Sequence, residues 1–397
     1  MRDPTSDAAA TRRLILILAV CGFASSFAIR SLDPLVSVIA RDLRSDPHTI
    51  ALLATALAIP YAFIQPILGP VGDALGKERI MKVCLAVLTA TLVASALTPD
   101  SATLFGLRVL TGAAAGGVIP MVLATIGDRV EMERRQIAIS RFLVAVITGQ
   151  LSGATLSGFL AGVVGWRGVF ALSSALALIG FAAALFGFRR SAAPTAPFDL
   201  GVALARYRAI VSLPRARALF SFVFVEGIVI FGIFPYIAPL LETRGAGGPT
   251  EAGIIVAAFA AGGILYSALV TVLLRTLGLT WMLVAAGVFG LIGFVGIALA
   301  GHWTVDAAAM VALGLSFYTL HNSFQTQVTE VAPQARGSAV ALHAFSFFCG
   351  QALGPVSLGF GFAALGEAPT MLVGALAILA LGVVAAWILA PAQLRAP

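Results

Sequence analysis

Stretches of about 20 or more predominantly apolar residues recur along this chain between short charged or Pro/Gly-rich breaks, and no other feature constrains its fold as tightly. A helical run of that length crosses the hydrocarbon core of a bilayer, about 30 Å at 1.5 Å per residue. Dividing the chain at its interruptions gives spans at roughly 14–40, 50–72, 80–98, 101–124, 138–163, 168–188, 218–241, 252–274, 281–300, 305–329, 338–363 and 370–390. In lipid every backbone donor and acceptor must be satisfied internally, so the expected class is all-α integral membrane with twelve transmembrane helices. The 59% hydrophobic and 11% charged residues exclude a soluble globular enzyme, because soluble chains carry about 25% charged residues. Arg12 and Arg13 precede the first apolar run in the manner of a leader, but the run is expected to be a retained first helix.

The net charge of +7 has its meaning in where the basic residues fall. With twelve spans, eighteen of the 25 Lys and Arg lie at the termini and on alternate loops of one side, among them Lys77, Arg79, Arg129, Arg134, Arg135, Arg206 and Arg208. The other side has Arg41, Arg44, Arg167 and Arg244, and Arg30, Arg108 and Arg141 lie within or at the edge of spans. By the positive-inside rule both termini are expected in the cytoplasm. The expected location is the plasma membrane, the inner membrane of the cell, crossed in multiple passes.

The longest polar stretch, from Arg189 to Arg217, falls between spans six and seven. Around it the chain repeats with an offset of 201 residues: Arg135 onto Arg336, Gly149 onto Gly350, Gln150 onto Gln351, Gly153 onto Gly354 and Pro34 onto Pro235. The expected organisation is a six-helix bundle over 1–188, a cytoplasmic linker over 189–217 and a second six-helix bundle over 218–397. Two such parallel halves around a central cavity suit a carrier that rocks one half against the other.

After span two the chain reads Gly69-Pro70-Val71-Gly72-Asp73-Ala74-Leu75-Gly76-Lys77-Glu78-Arg79. Here it resembles the major facilitator superfamily, whose signature between helices two and three has this pattern. Arg108 followed by Gly112, Ala114 and Gly116, then Asp128 with Arg134 and Arg135, and Trp166-Arg167-Gly168 match further family habits, so the resemblance covers the whole chain. It implies alternating access, with Gly69, Asp73, Gly76, Lys77, Arg79, Asp128, Arg134 and Arg135 forming a cytoplasmic gate. Within the family the chain is similar to the proton-coupled drug-exporter branch. The glycine-rich motif of that branch in span five is only partial: Gly153-Ala154 stands where a Gly-Pro pair is usual, and the proline appears at the repeat-related Gly354-Pro355. In the second half the loop signature is reduced to Arg275 and Gly278.

Ionisable side chains inside a span cost about 2.5–3.5 kcal/mol each on insertion scales, which makes them candidates for function. Arg30 and Asp33 are three apart and share a helix face. Asp33 lies about 12 Å inward from Arg41, and Arg108 about 12 Å inward from Asp100, so the three charges fall at similar depth. They are expected to form a proton-coupling network or a permanent structural ion pair. Glu226, about 13 Å from Arg217 and without a basic neighbour in sequence, is the first candidate for carrying a proton. In apolar surroundings a carboxyl holds its proton until water or a cation arrives.

Candidates for contact with a substrate are Gln150 and Gln351 at equivalent repeat positions, Phe234, Tyr236, His321 and Asn322. Aromatic residues recur on spans one, seven, ten and eleven and favour apolar, aromatic or cationic solutes. Cys21, Cys84 and Cys349 are isolated and read as packing thiols, with no metal-ligand spacing. No phosphate-binding loop is present, so energy is expected from an ion gradient, with no cofactor, metal or nucleic acid. The resemblance thus implies a monomeric carrier whose partners are a small-molecule substrate, protons and the bilayer, expected to export small apolar or amphiphilic compounds. A proton-linked metabolite importer and a membrane sensor or scaffold without transport are the alternatives.

Overall fold

The computed structural model describes the backbone of residues 4–188 and 200–389; the side chains of 1–10, 69, 70, 73, 132–137, 140, 200 and 334 lie outside the described residues. All regular structure among the described residues is helical. In chain order the α-helices are α1 (Pro4–Arg30), α2 (Val36–Asp42), α3 (Pro47–Leu75), α4 (Lys77–Leu97), α5 (Ser101–Arg129), α6 (Met132–Gly187) and α7 (Leu200–Ser212). The second half continues with α8 (Pro214–Phe231), α9 (Ile237–Thr243), α10 (Pro249–Leu299), α11 (Trp303–Val331), α12 (Arg336–Leu365) and α13 (Glu367–Leu389). Ten segments are long and apolar enough to cross a membrane. Two of these, in α6 and α10, reverse once at Gly165 (φ 67°) and Gly278 (φ 64°), so each supplies two spans and the total is twelve.

These reversals take less chain than the sequence suggests. Gly76, Gly165, Gly278 and Gly366 all have positive φ, where a residue without a Cβ turns the backbone at no steric cost. The expected loop around Asp73 to Arg79 is therefore the single residue Gly76, with Asp73 in the last turn of α3 and Lys77 opening α4. Likewise Trp166 and Arg167, expected between spans five and six, are helical. Part of the expected linker, residues 200–212, is the helix α7, tied to α3 by the Tyr207 hydroxyl donating to the Pro66 carbonyl at 2.7 Å.

Span one is not one continuous helix. A 3-10 turn at Asp33–Leu35 separates α1 from α2, and an equivalent turn at Phe234–Tyr236 separates α8 from α9. Pro34 and Pro235 sit inside these turns, where an α-helical N–H bond is already interrupted. The packing repeats as well. A Cβ at Gly153 would come 2.5 Å from the Phe27 carbonyl of α1, and one at Gly354 would come 2.7 Å from the Ile228 carbonyl of α8. Both pairs are related by the offset that relates the two turns.

The two halves meet along α3 against α12 and α6 against α10. Thr55 donates to the Ala352 carbonyl at 2.6 Å across the first of these seams. On the face that carries Arg41 the halves close together: the two 3-10 turns touch, Arg41 pairs with Glu242 at 2.8 Å, and His48 lies 5.6 Å from the Tyr236 ring. The core of each bundle is apolar, with Leu18, Leu85, Val118 and Phe170 in one and Val223, Leu283, Phe294 and Phe324 in the other.

Candidate functional site

Between the halves lies a cavity of about 450 Å³. Its deep end is at Ile29 and Arg30, just before the first 3-10 turn, and its lining runs to Asn322 and Gln325 toward the face that carries Gly76. The α6 segment contributes Gln150, α12 contributes Gln351, and α11 contributes Phe317, Tyr318, His321, Asn322 and Gln325. Five of the six expected substrate-contact residues, Gln150, Gln351, Phe234, His321 and Asn322, therefore line this one cavity. Tyr236 does not join them. It is buried beyond the cavity, its hydroxyl donating to the Pro355 carbonyl at 2.9 Å.

The aromatic rings form a connected cluster in the second half. Phe231 stacks on Phe234 at 5.0 Å and meets Phe317 and Phe347 edge-on at 5.1 and 5.4 Å. Arg30 reaches over from the first half, its guanidinium carbon 4.7 Å from the Phe231 ring and 4.8 Å from the Phe234 ring. A cation over two ring faces is an attraction of about 0.5–2 kcal/mol. It ties the deep end of the cavity across the interface between the halves.

Behind this end sits the expected charge network. Asp33 lies 3.4 Å from Arg30, and a small cleft is lined by Arg30, Asp33 and Arg108 together. Arg108 is 1% exposed, and its Nε and Nη1 have no hydrogen-bond partner among the described residues. Helix α5 brings the guanidinium here because its first turn is fixed by Asp100, which accepts from the Thr103 amide at 2.8 Å and the Thr103 hydroxyl at 2.9 Å.

Glu226 is fully buried, and the structure supplies the neighbour that the sequence did not reveal. His321 Nδ1 lies 2.9 Å from Glu226 Oε2, while Oε1 has no partner among the described residues. The His343 ring lies 5.1 Å from that of His321, tilted against it, and both its ring nitrogens are buried without a partner among the described residues. His321 thus stands between the buried carboxyl and the cavity. Tyr61, Tyr266 and Gln325 also line the cavity; none is among the sequence candidates above, and the signal for each is a polar group inside an apolar span.

On the Gly76 face, Lys77 pairs with Asp128 at 2.6 Å and Arg129 pairs with Glu78, while Arg79 is exposed. Arg129 lies over Phe188 at 5.5 Å, and Lys82 donates to the Phe188 carbonyl at 2.5 Å. These contacts join α4, α5 and the end of α6 within one bundle. The Gly69, Asp73, Arg134 and Arg135 side-chain positions lie outside the described residues.

A profile of the Major Facilitator Superfamily matches residues 18–355. The chain belongs to that superfamily. The MFS-type transporter YwfA of Bacillus subtilis (strain 168) is 24% identical over 361 residues, 89% of this chain and 87% of that one. The multidrug resistance protein MdtG of Erwinia billingiae is 29% identical over 174 residues, 42% of this chain and 41% of that one. The crystal structure of the nucleoside transporter NupG superposes with a TM-score of 0.75 at 19% identity, covering 94% of this chain and 99% of that one. This superfamily chain is accordingly a multi-pass membrane protein of two repeat-related six-helix bundles, a secondary transporter of small molecules and not an enzyme.

Proposed function

We propose that the protein is a proton-coupled exporter of small amphiphilic compounds, working by alternating access with both termini in the cytoplasm. The observation that carries the coupling is the Glu226–His321 pair at 2.9 Å, one member wholly buried and the other on the cavity wall. With one added proton the pair is neutral, whether as acid and imidazole or as carboxylate and imidazolium; without it the pair carries a single negative charge. A charge left in apolar packing is costly, so proton loss belongs to the state in which the cavity is hydrated or occupied. Export is supported by the similarity to MdtG, named as a multidrug resistance protein, over part of the chain. The excess of basic residues on the Gly76 face and at the termini supports a cytoplasmic position for that face. The cavity seen between the halves is then the cytoplasmic-facing one, with the Arg41 face closed outside.

The testing experiment is a proteoliposome assay with an imposed pH gradient, read by a pH dye in the lumen and by dye or drug content. Substrate-dependent proton flux opposite to substrate movement is expected. Transport that persists without any proton flux removes the coupling.

A further inference from the structure

The charges on the cavity wall restrict its occupant more than the cavity's shape does. Among the described residues that line it, Arg30 is the one Asp, Glu, Lys or Arg; Glu226 lies behind the wall, wholly buried. Arg30 belongs to a cluster of two guanidiniums and one carboxylate, so with Asp33 ionised one positive charge is uncompensated. That charge is not held tightly by its internal partner. The Arg30–Asp33 separation of 3.4 Å is longer than the usual charge-assisted hydrogen bond of about 2.7–2.9 Å. Arg108, fully buried on the other side of the cleft, has donors to spare for the same carboxylate.

The neighbours of Arg30 on the wall suit an acceptor with a flat apolar body. The phenols of Tyr61 and Tyr318 line the same cavity, Gln351 lines both the cavity and the charge cleft, and the Phe231 and Phe317 rings belong to the lining as well. Guanidinium, phenol and amide are all donors to oxygen, and a guanidinium fork matches a carboxylate or sulfonate in particular.

We propose that the cavity binds small organic monoanions, an aromatic carboxylate or sulfonate whose acid group is taken by Arg30 and whose body lies against the Phe231 and Phe317 cluster. The proposal deepens the transport reading and rests on it for the meaning of the cavity. An anion arriving at Arg30 neutralises the uncompensated charge and leaves Asp33 to Arg108. A cationic amphiphile gains ring faces but meets Arg30 as a like charge.

The test is equilibrium binding to the full chain in detergent, by calorimetry, of three probes that share a naphthylmethyl body: 1-naphthylacetate, the isosteric 1-naphthylacetamide and 1-naphthylmethylammonium. Naphthylacetate is expected to bind about tenfold or more tighter than the amide, the gain of a charge-assisted hydrogen bond, and the ammonium most weakly. Arg30→Gln should abolish the discrimination, and Arg30→Lys should keep part of it, since the charge stays while the planar fork is lost. Equal binding of the three by the parent, no binding of naphthylacetate at millimolar concentration, or unchanged discrimination in Arg30→Gln overturns the proposal. The parent series decides even where Arg30→Gln fails to fold. No gradient enters the measurement, so a liposome experiment without proton-linked flux strikes the transport reading alone, and equal binding strikes the anion site alone.

Discussion

Arg41 and Glu242 are 201 residues apart in the chain and 2.8 Å apart in space. Because 201 is also the offset between the two 3-10 turns, the two residues occupy equivalent positions in the two halves, and their bond crosses the axis that relates them. A contact of this kind is made only when the halves are closed on that face. It therefore contributes to the balance between conformations more than to the stability of either bundle.

Exposed ion pairs contribute about 0.2–1 kcal/mol, and Arg41 is 62% exposed. Glu242→Gln should accordingly open the Arg41 face by up to about fivefold without lowering the melting temperature. A cysteine at Thr55, on the seam beneath, should react faster with a water-soluble maleimide, and the exchanged pair Arg41→Glu with Glu242→Arg should return the rate to that of the parent. Equal rates in all three proteins would assign the closure to the apolar seams alone.

Acid should loosen α5 through its cap. The Thr103 amide and hydroxyl hold the Asp100 carboxyl below the ordinary Asp value. A depressed value means that the contribution to stability is full above the unfolded value of about 3.9 and is lost as pH falls through the folded value beneath it. Asp100→Asn keeps an acceptor for the Thr103 amide but does not titrate. Its melting temperature should fall less steeply than that of the parent below about pH 4. Parallel acid limbs in the two proteins would mean that the cap plays no part in the acid response.

The close approaches at Gly153 and Gly354 should behave alike. At each a Cβ would meet a carbonyl oxygen of the opposing helix within 2.7 Å, and backbone cannot yield as a flexible side chain does. Gly153→Ala and Gly354→Ala should each cost about 1–3 kcal/mol of stability, the usual range for overpacking, seen as a fall in melting temperature. A loss at one site with none at the other would show that the repeat is not equally tight in both halves.

Much of this architecture is legible in the sequence because lipid forces it. The apolar runs mark the helices, and the recurrence of Gly149, Gln150 and Gly153 as Gly350, Gln351 and Gly354 marks the duplication. The Arg30–Asp33 pair was readable as well, since residues three apart share a helix face. Contacts between distant helices were not. Glu226 and His321 are 95 residues apart, and no local period links a mid-span acid on α8 to a histidine on α11. The placement of Tyr236 outside the cavity has a similar cause. The 3-10 turn at Phe234–Tyr236 ends the α-helical register, so a face extrapolated along span seven stops at Phe234.

The last prediction separates coupling from stability. Glu226→Gln keeps the size of the side chain and an acceptor or donor for His321, but it cannot bind and release a proton. Gradient-driven expulsion should be abolished and proton release on ligand addition lost, while 1-naphthylacetate binds within about threefold of the parent because Arg30 is untouched. Asp33→Asn is different in kind. It leaves Arg30 and Arg108 beside one another without their anion, and removing one partner from a buried charge group costs about 3–5 kcal/mol. The melting temperature should therefore drop for Asp33→Asn and stay near the parent for Glu226→Gln. Proton release that persists in Glu226→Gln and vanishes in a folded Asp33→Asn protein would move the proton site to Asp33. The Glu226–His321 bond would then serve only to hold α8 against α11.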